Sequence, residues 1–195
     1  MRYETISNQI MYKLVEEKRI NDEYREVYAY ALEKMLAGIG NAILLLLTAL
    51  IFDIGIETIV FLSFYIPIRK YAGGLHAKTR TSCVMISLIV MVTCMKLAMV
   101  ISNTSMWSCI SLITLFIVIL LINQFAPMDS INKRLSSKNW IKHKIISKYI
   151  TVVESLILIG GILFVPDLKV YIMTATMAML LVGITIIPYK KLWRV

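Results

Sequence analysis

The chain alternates long apolar runs with short polar breaks. Six runs stand out: Ala37–Phe52, Gly55–Ile68, Cys83–Ile101, Trp107–Asn123, Tyr149–Val165 and Val170–Ile187. Each predicts a membrane helix. Several are shorter than the roughly 20 residues needed to cross hydrocarbon. Flanking residues extend some of them, whereas Gly55–Ile68 is expected to be tilted or partly re-entrant. Pro67 and the Gly73-Gly74 pair predict that this second helix ends before the polar stretch that follows it.

Residues 1–36 carry a different pattern. Ile6, Ile10, Leu14 and Val15 recur at helical spacing, as do Tyr24, Val27, Tyr28, Ala31 and Met35, among seven acids and six bases. This predicts two amphipathic helices lying on the inner leaflet or capping the bundle. A solvated lead-in with no role is the plainer alternative. Being charged and amphipathic, this stretch holds no apolar h-region, so no cleavable signal peptide is expected and the N-terminus is retained.

Composition places this pattern in a class. With 195 residues, 58% of them hydrophobic, and a mean hydropathy of +0.75, the chain is too apolar for a soluble domain. The expectation is one all-α polytopic membrane domain of about six transmembrane helices. Residues 1–36 would be amphipathic, 37–187 the transmembrane bundle and 188–195 a basic tail. No internal repeat or low-complexity tract interrupts it.

The net charge of +9 is read through its distribution. Lys plus Arg number six in 1–36, none in 53–54, four in 69–82, none in 102–106, six in 124–148, one in 166–169 and three at the C-terminus. That alternation predicts both termini and the connection 69–82 in the cytoplasm. No aromatic-interleaved basic face accompanies the charge, so nucleic acid is not an expected partner. Three cysteines, two of them (Cys94 and Cys109) inside apolar runs, do not make a disulfide scaffold. No cluster has metal-ligand spacing, and no cofactor is expected.

Chemistry concentrates in Arg69–Cys83, which holds one of two histidines and one of three cysteines. His76 and Cys83 are seven residues apart, which in a continuous helix would separate them by about 10.5 Å along the axis. A nucleophile–base contact needs hydrogen-bond distance, so the helix must be interrupted. Gly73-Gly74 supplies the flexibility, and Thr81-Ser82 offers N-cap candidates just before Cys83. A cysteine in a first helical turn beside Lys78 and Arg80 sits where thiolates are favoured. On residue chemistry alone, a catalytic pair and two unrelated interfacial residues both stay open.

The pattern Arg-x-x-x-Gly-Gly-x-His-Ala, with Cys six residues after the alanine, resembles the accessory gene regulator B (AgrB) family of membrane cysteine endopeptidases. Ala126-Pro-Met-Asp-Ser-Ile-Asn-Lys-Arg-Leu135 is similar to that family's Ala-Pro-x-Asp-x-x-Asn-Lys-Pro-Leu, with Arg134 where proline is usual. Size, amphipathic N-terminus and six-segment layout agree, so the resemblance covers nearly the whole chain.

The resemblance implies that Cys83 is the nucleophile and His76 the general base. The substrate implied is an AgrD-like quorum-sensing propeptide, cleaved before its acidic C-terminal tail through a thioester and closed into a thiolactone or lactone. It also implies a homodimer in the lipid bilayer of a Gram-positive plasma membrane. Asp129 either orients His76 or serves as a turn acid. Arg69 and Lys70 either lend positive potential to an oxyanion or act as interfacial anchors. Lys133, Arg134, Lys138, Lys142 and Lys144 suit an acidic tail or anionic headgroups, or only set topology. Glu154, an acid within a membrane segment, is a functional candidate whose partner would be Lys148 or a substrate lysine. Lys96 snorkels outward, and His143 reads as a bystander on a soluble loop. A peptide transporter with the hinge as a gate, and a non-catalytic scaffold, are the competing functions.

Overall fold

A computed structural model describes residues 2–17, 19–74, 80–128 and 137–187. The described residues form seven α-helices and no strand: α1 (Arg2–Glu16), α2 (Arg25–Ile51), α3 (Gly55–Ala72), α4 (Arg80–Ser102), α5 (Trp107–Phe125), α6 (Ser137–Phe164) and α7 (Lys169–Thr185). One-turn 3₁₀ segments precede α2 and α7. Five helical stretches are long and apolar enough to cross a membrane: Asp22–Ile51, Val84–Ser102, Trp107–Phe125, Asn139–Phe164 and Pro166–Thr185. The chain is an all-α polytopic membrane protein. At 18 residues α3 would reach about 27 Å, close to the hydrocarbon thickness, but it carries Glu57, Arg69 and Lys70.

The chain divides into two compact units, 1–53 and 54–195. In the first, α1 packs on α2 and buries Ser7 and Met11, with Ala29 buried on α2. The Arg25 guanidinium lies 4.6 Å from the Tyr12 ring centroid and pairs with Asp22 at 3.2 Å. Val27, Tyr28, Ala31 and Met35 of the amphipathic stretch and the apolar run from Ala37 belong to one unbroken helix, α2. Continuity keeps the backbone donors and acceptors paired where the chain enters hydrocarbon. Leu47, Leu50 and Ile51 remain exposed, a surface suited to lipid tails.

In the second unit α7 is the central helix and packs against α3, α4, α5 and α6. Met173, Ala175, Ala178, Met179 and Val182 are wholly buried. Of these, Ala175, Met179 and Val182 join Ile68 and Ala72 of α3, Leu115, Val118 and Ile122 of α5, and Leu158 of α6 in one core. Small residues let the helices come close. A methyl group at Gly183 would stand 3.1 Å from Leu121 Cδ1, and one at Gly161 would stand 3.2 Å from Ile172 Cδ1. Four buried threonine hydroxyls bond back along the chain: Thr58, Thr114, Thr151 and Thr176 each donate to the carbonyl four residues back, at 2.7–2.9 Å.

Two boundaries differ from the expected ones. The second membrane helix passes through Pro67 and ends at Ala72, carrying Arg69 and Lys70 in its last turn. Similarly, α6 starts at Ser137, so residues 137–148 are helical and not part of a soluble connection. Trp140 anchors this extension, with Lys144 Nζ 4.8 Å from its ring centroid.

Candidate functional site

The end of α3 prepares a backbone knot. Gly73 N–H closes the helix onto the Arg69 carbonyl at 3.1 Å, and Gly73 then adopts φ 74°. Gly74 follows at φ 133°. Both values favour glycine, and at Gly73 contact with backbone requires it as well. A Cβ on Gly73 would collide with the Met128 carbonyl oxygen, and one on Gly74 would fall on the Arg69 guanidinium.

Two other parts of the chain meet this turn. Met128 N–H donates to the Ala72 carbonyl at 2.9 Å, and Gly73 and Met128 form an isolated parallel bridge. The Gly-Gly motif and the Ala-Pro motif, more than fifty residues apart in sequence, are thus laid side by side. From the other direction, Arg69 Nη1 donates to the Gly73 carbonyl at 2.8 Å and to Thr185 Oγ1, on the last residue of α7, at 2.7 Å. Thr185 in turn donates to the Val182 carbonyl at 2.9 Å. Arg69, expected either to serve an oxyanion or to anchor at the interface, uses this nitrogen to hold the hinge.

His76, Asp129, Lys133 and Arg134 lie outside the described residues. The backbone of Cys83 lies in the first turn of α4, and its side chain lies outside the description. Because α4 starts at Arg80, Thr81 and Ser82 are inside that turn and do not precede it as caps. α3 ends at Ala72 and α4 begins at Arg80, and residues 75–79, His76 among them, lie outside the described residues. Cys94 and Cys109 are free thiols within α4 and α5.

His143, expected on a loop with no role, is helical. It lies on α6 with its ring edge-on to Tyr71 at 5.4 Å between centroids, two residues before Gly73. Periodicity in the apolar runs gave no sign of this contact, because Tyr71 and His143 both lie in polar stretches. Thr185 was also missed. Its only sequence signal is a hydroxyl at the end of an apolar run.

Glu154 is buried in α6, with 8% of its surface exposed, and among the described residues Oε2 has no hydrogen-bond partner. No ion pair to Lys148 is present among them. Six residues of helix turn through about 600°, so the two side chains emerge on different faces. The neighbouring Ser155 Oγ is likewise buried without a partner among the described residues.

These features define a polytopic helical membrane protein with a glycine-pinned polar turn leaving one helix and a cysteine in the first turn of the next. A family model described as Accessory gene regulator B matches residues 7–186, and the chain belongs to that family. It is 26% identical over 140 residues to a Clostridium perfringens (strain 13 / Type A) protein named "Putative AgrB-like protein 2". It is 24% identical over 140 residues to "Putative AgrB-like protein" of C. perfringens (strain SM101 / Type A). Each alignment covers 69% of this chain and 65% of the relative. No solved structure matches.

Proposed function

We propose that the chain is a membrane-embedded cysteine endopeptidase that matures a quorum-sensing propeptide. The observation that carries this reading is the pinned turn. Gly73 and Gly74, held by Met128 and Arg69, end α3 immediately before the His76 segment, and Cys83 follows in the first turn of α4.

In the reaction, His76 takes the Cys83 thiol proton and the thiolate attacks the carbonyl joining the signal sequence to its tail. The C–N bond then breaks, and the proton passes from the imidazolium to the departing amine. The signal remains on Cys83 as a thioester. An internal thiol or hydroxyl of the peptide attacks the same carbonyl, its proton returns through His76 to the Cys83 sulfur, and a thiolactone or lactone leaves. One activated acyl bond replaces another in the thiolactone case, so ring closure requires no ATP. Holding the peptide nucleophile near the acyl carbon favours cyclisation over hydrolysis.

The other candidates take supporting roles in this scheme. Asp129 follows Met128, whose backbone bridges Gly73, and orients His76. Lys133 and Arg134 receive the acidic tail on the cytoplasmic side, where the lysine and arginine distribution places the hinge. Glu154 meets a cationic side chain of the substrate. The enzyme acts as a homodimer in the plasma membrane.

The test is co-expression with the cognate propeptide. Cys83→Ala and His76→Ala should each abolish release of the tail, while immunoblotting shows the variants at wild-type level in the membrane. Unchanged cleavage in both would overturn the enzyme reading, and peptide export without cleavage would favour the transporter. Glu154→Gln should raise KM for the propeptide severalfold at unchanged kcat. An unchanged KM would remove Glu154 from substrate binding.

A further inference from the structure

Thr185 stands at the junction of the packed core and the hinge. Its own helix is the most enclosed in the second unit, and its hydroxyl spans two elements. It donates to the Val182 carbonyl at 2.9 Å and accepts from Arg69 Nη1 at 2.7 Å. The same Arg69 nitrogen donates to the Gly73 carbonyl at 2.8 Å. Between them lies Gly74, buried, with its missing Cβ position occupied by the Arg69 guanidinium and 3.1 Å from Thr185 Oγ1.

We propose that Thr185 is a positioning residue for the peptidase reaction, holding through Arg69 the Gly73–Gly74 turn from which the His76 segment departs. The proposal rests on the cysteine-endopeptidase reading above. The physical argument concerns direction and rigidity. A long arginine side chain has many rotamers, and a hydrogen bond to a carbonyl four residues away ties it only to the end of its own helix. The bond to a hydroxyl that is itself committed to α7 ties it to the packed core. Because Val182 is wholly buried in the core, the carbonyl accepting from Thr185 is a fixed point. Rigidity therefore passes from the core to Thr185, to Arg69 and to the Gly73 carbonyl. At this turn the chain leaves the helix through two residues of positive φ, so a small rotation there displaces everything downstream. Misplacing a catalytic group by about 1 Å can cost about a hundredfold in rate.

The hydroxyl is the group at issue, so the informative pair is Thr185→Val, which keeps the shape, and Thr185→Ser, which keeps the donor and acceptor. Full-length protein in detergent or proteoliposomes is assayed for propeptide cleavage. Thr185→Val should lower kcat about tenfold or more with KM within about twofold, and Thr185→Ser should stay within about twofold of wild type. Hydrogen exchange over residues 69–74 should rise in the valine variant only, with the melting temperature of the bundle retained. A valine variant with wild-type kcat overturns the proposal, as does a serine variant that fails to the same degree. If the valine variant does not assemble, Thr185→Ala is read by the same criteria. Cys83→Ala is run alongside. If it still cleaves, the peptidase reading falls, and the Thr185–Arg69 link is then judged by hydrogen exchange alone, where unchanged protection at 69–74 overturns it.

Discussion

α2 and α7 both read as apolar membrane helices, yet they behave as opposites. The apolar half of α2 is built from large aliphatic residues, and Ile43, Leu46, Leu47, Leu50 and Ile51 are all exposed. α7 mixes Thr174, Ala175, Thr176, Ala178 and Gly183 with methionine and valine, and nine of its residues are buried. Lipid tails are as apolar as leucine, so hydrophobicity alone does not draw two helices together in a membrane. Small side chains do, because they admit close backbones, and hydroxyls that bond back to their own helix cause no penalty there. Glycines show the contrast at single-atom scale. Gly38 in α2 has nothing within 4 Å of its absent Cβ, whereas Gly183 faces Leu121 and Gly73 faces the Met128 backbone.

Substitutions can break or sharpen this comparison. The largest effect is expected at Gly73, where the obstacle is backbone and cannot turn aside. Gly73→Ala should cost about 1–3 kcal/mol at the hinge and reduce propeptide cleavage by at least about tenfold. Wild-type activity in that variant would show that the bridge to Met128 is dispensable. Gly183→Leu comes next, because it overfills a packed contact. It should lower bundle stability by about 1–3 kcal/mol, read as a fall in melting temperature in micelles. Gly38→Ala should have the opposite sign, a gain of up to about 1 kcal/mol from helix propensity in open space. The smallest effect belongs to Leu50→Ala, within about 0.5 kcal/mol, since most of that side chain is exposed. A large loss at Leu50 would mean that a protein surface covers it.

Much of the molecule was legible before any coordinates. The apolar runs announced the membrane helices, and Arg69–Cys83 stood out because polar and titratable residues are scarce elsewhere. The boundaries were less legible. The amphipathic residues from Arg25 and the apolar run from Ala37 share one helix, because a change from amphipathic to apolar pattern is not a helix stop. The start of α6 was masked because Lys142, Lys144 and Lys148 look like a loop when helical only by extension from a membrane segment. Assigning Lys148 to Glu154 failed for a related reason: proximity in sequence says little about which face of a helix a side chain leaves.

Local chemistry by itself determined that this chain is a helical membrane protein and that its polar hinge holds a histidine and a cysteine. Those properties follow from hydrocarbon content, glycine placement and the spacing of a few side chains. Tertiary structure decided what the hinge is fastened to. Met128 approaches from the α5–α6 connection and Thr185 from the end of α7, each through a hydrogen bond that no periodicity encodes. Such contacts depend on how close the helices pack, and that depends on small residues far from the hinge in sequence.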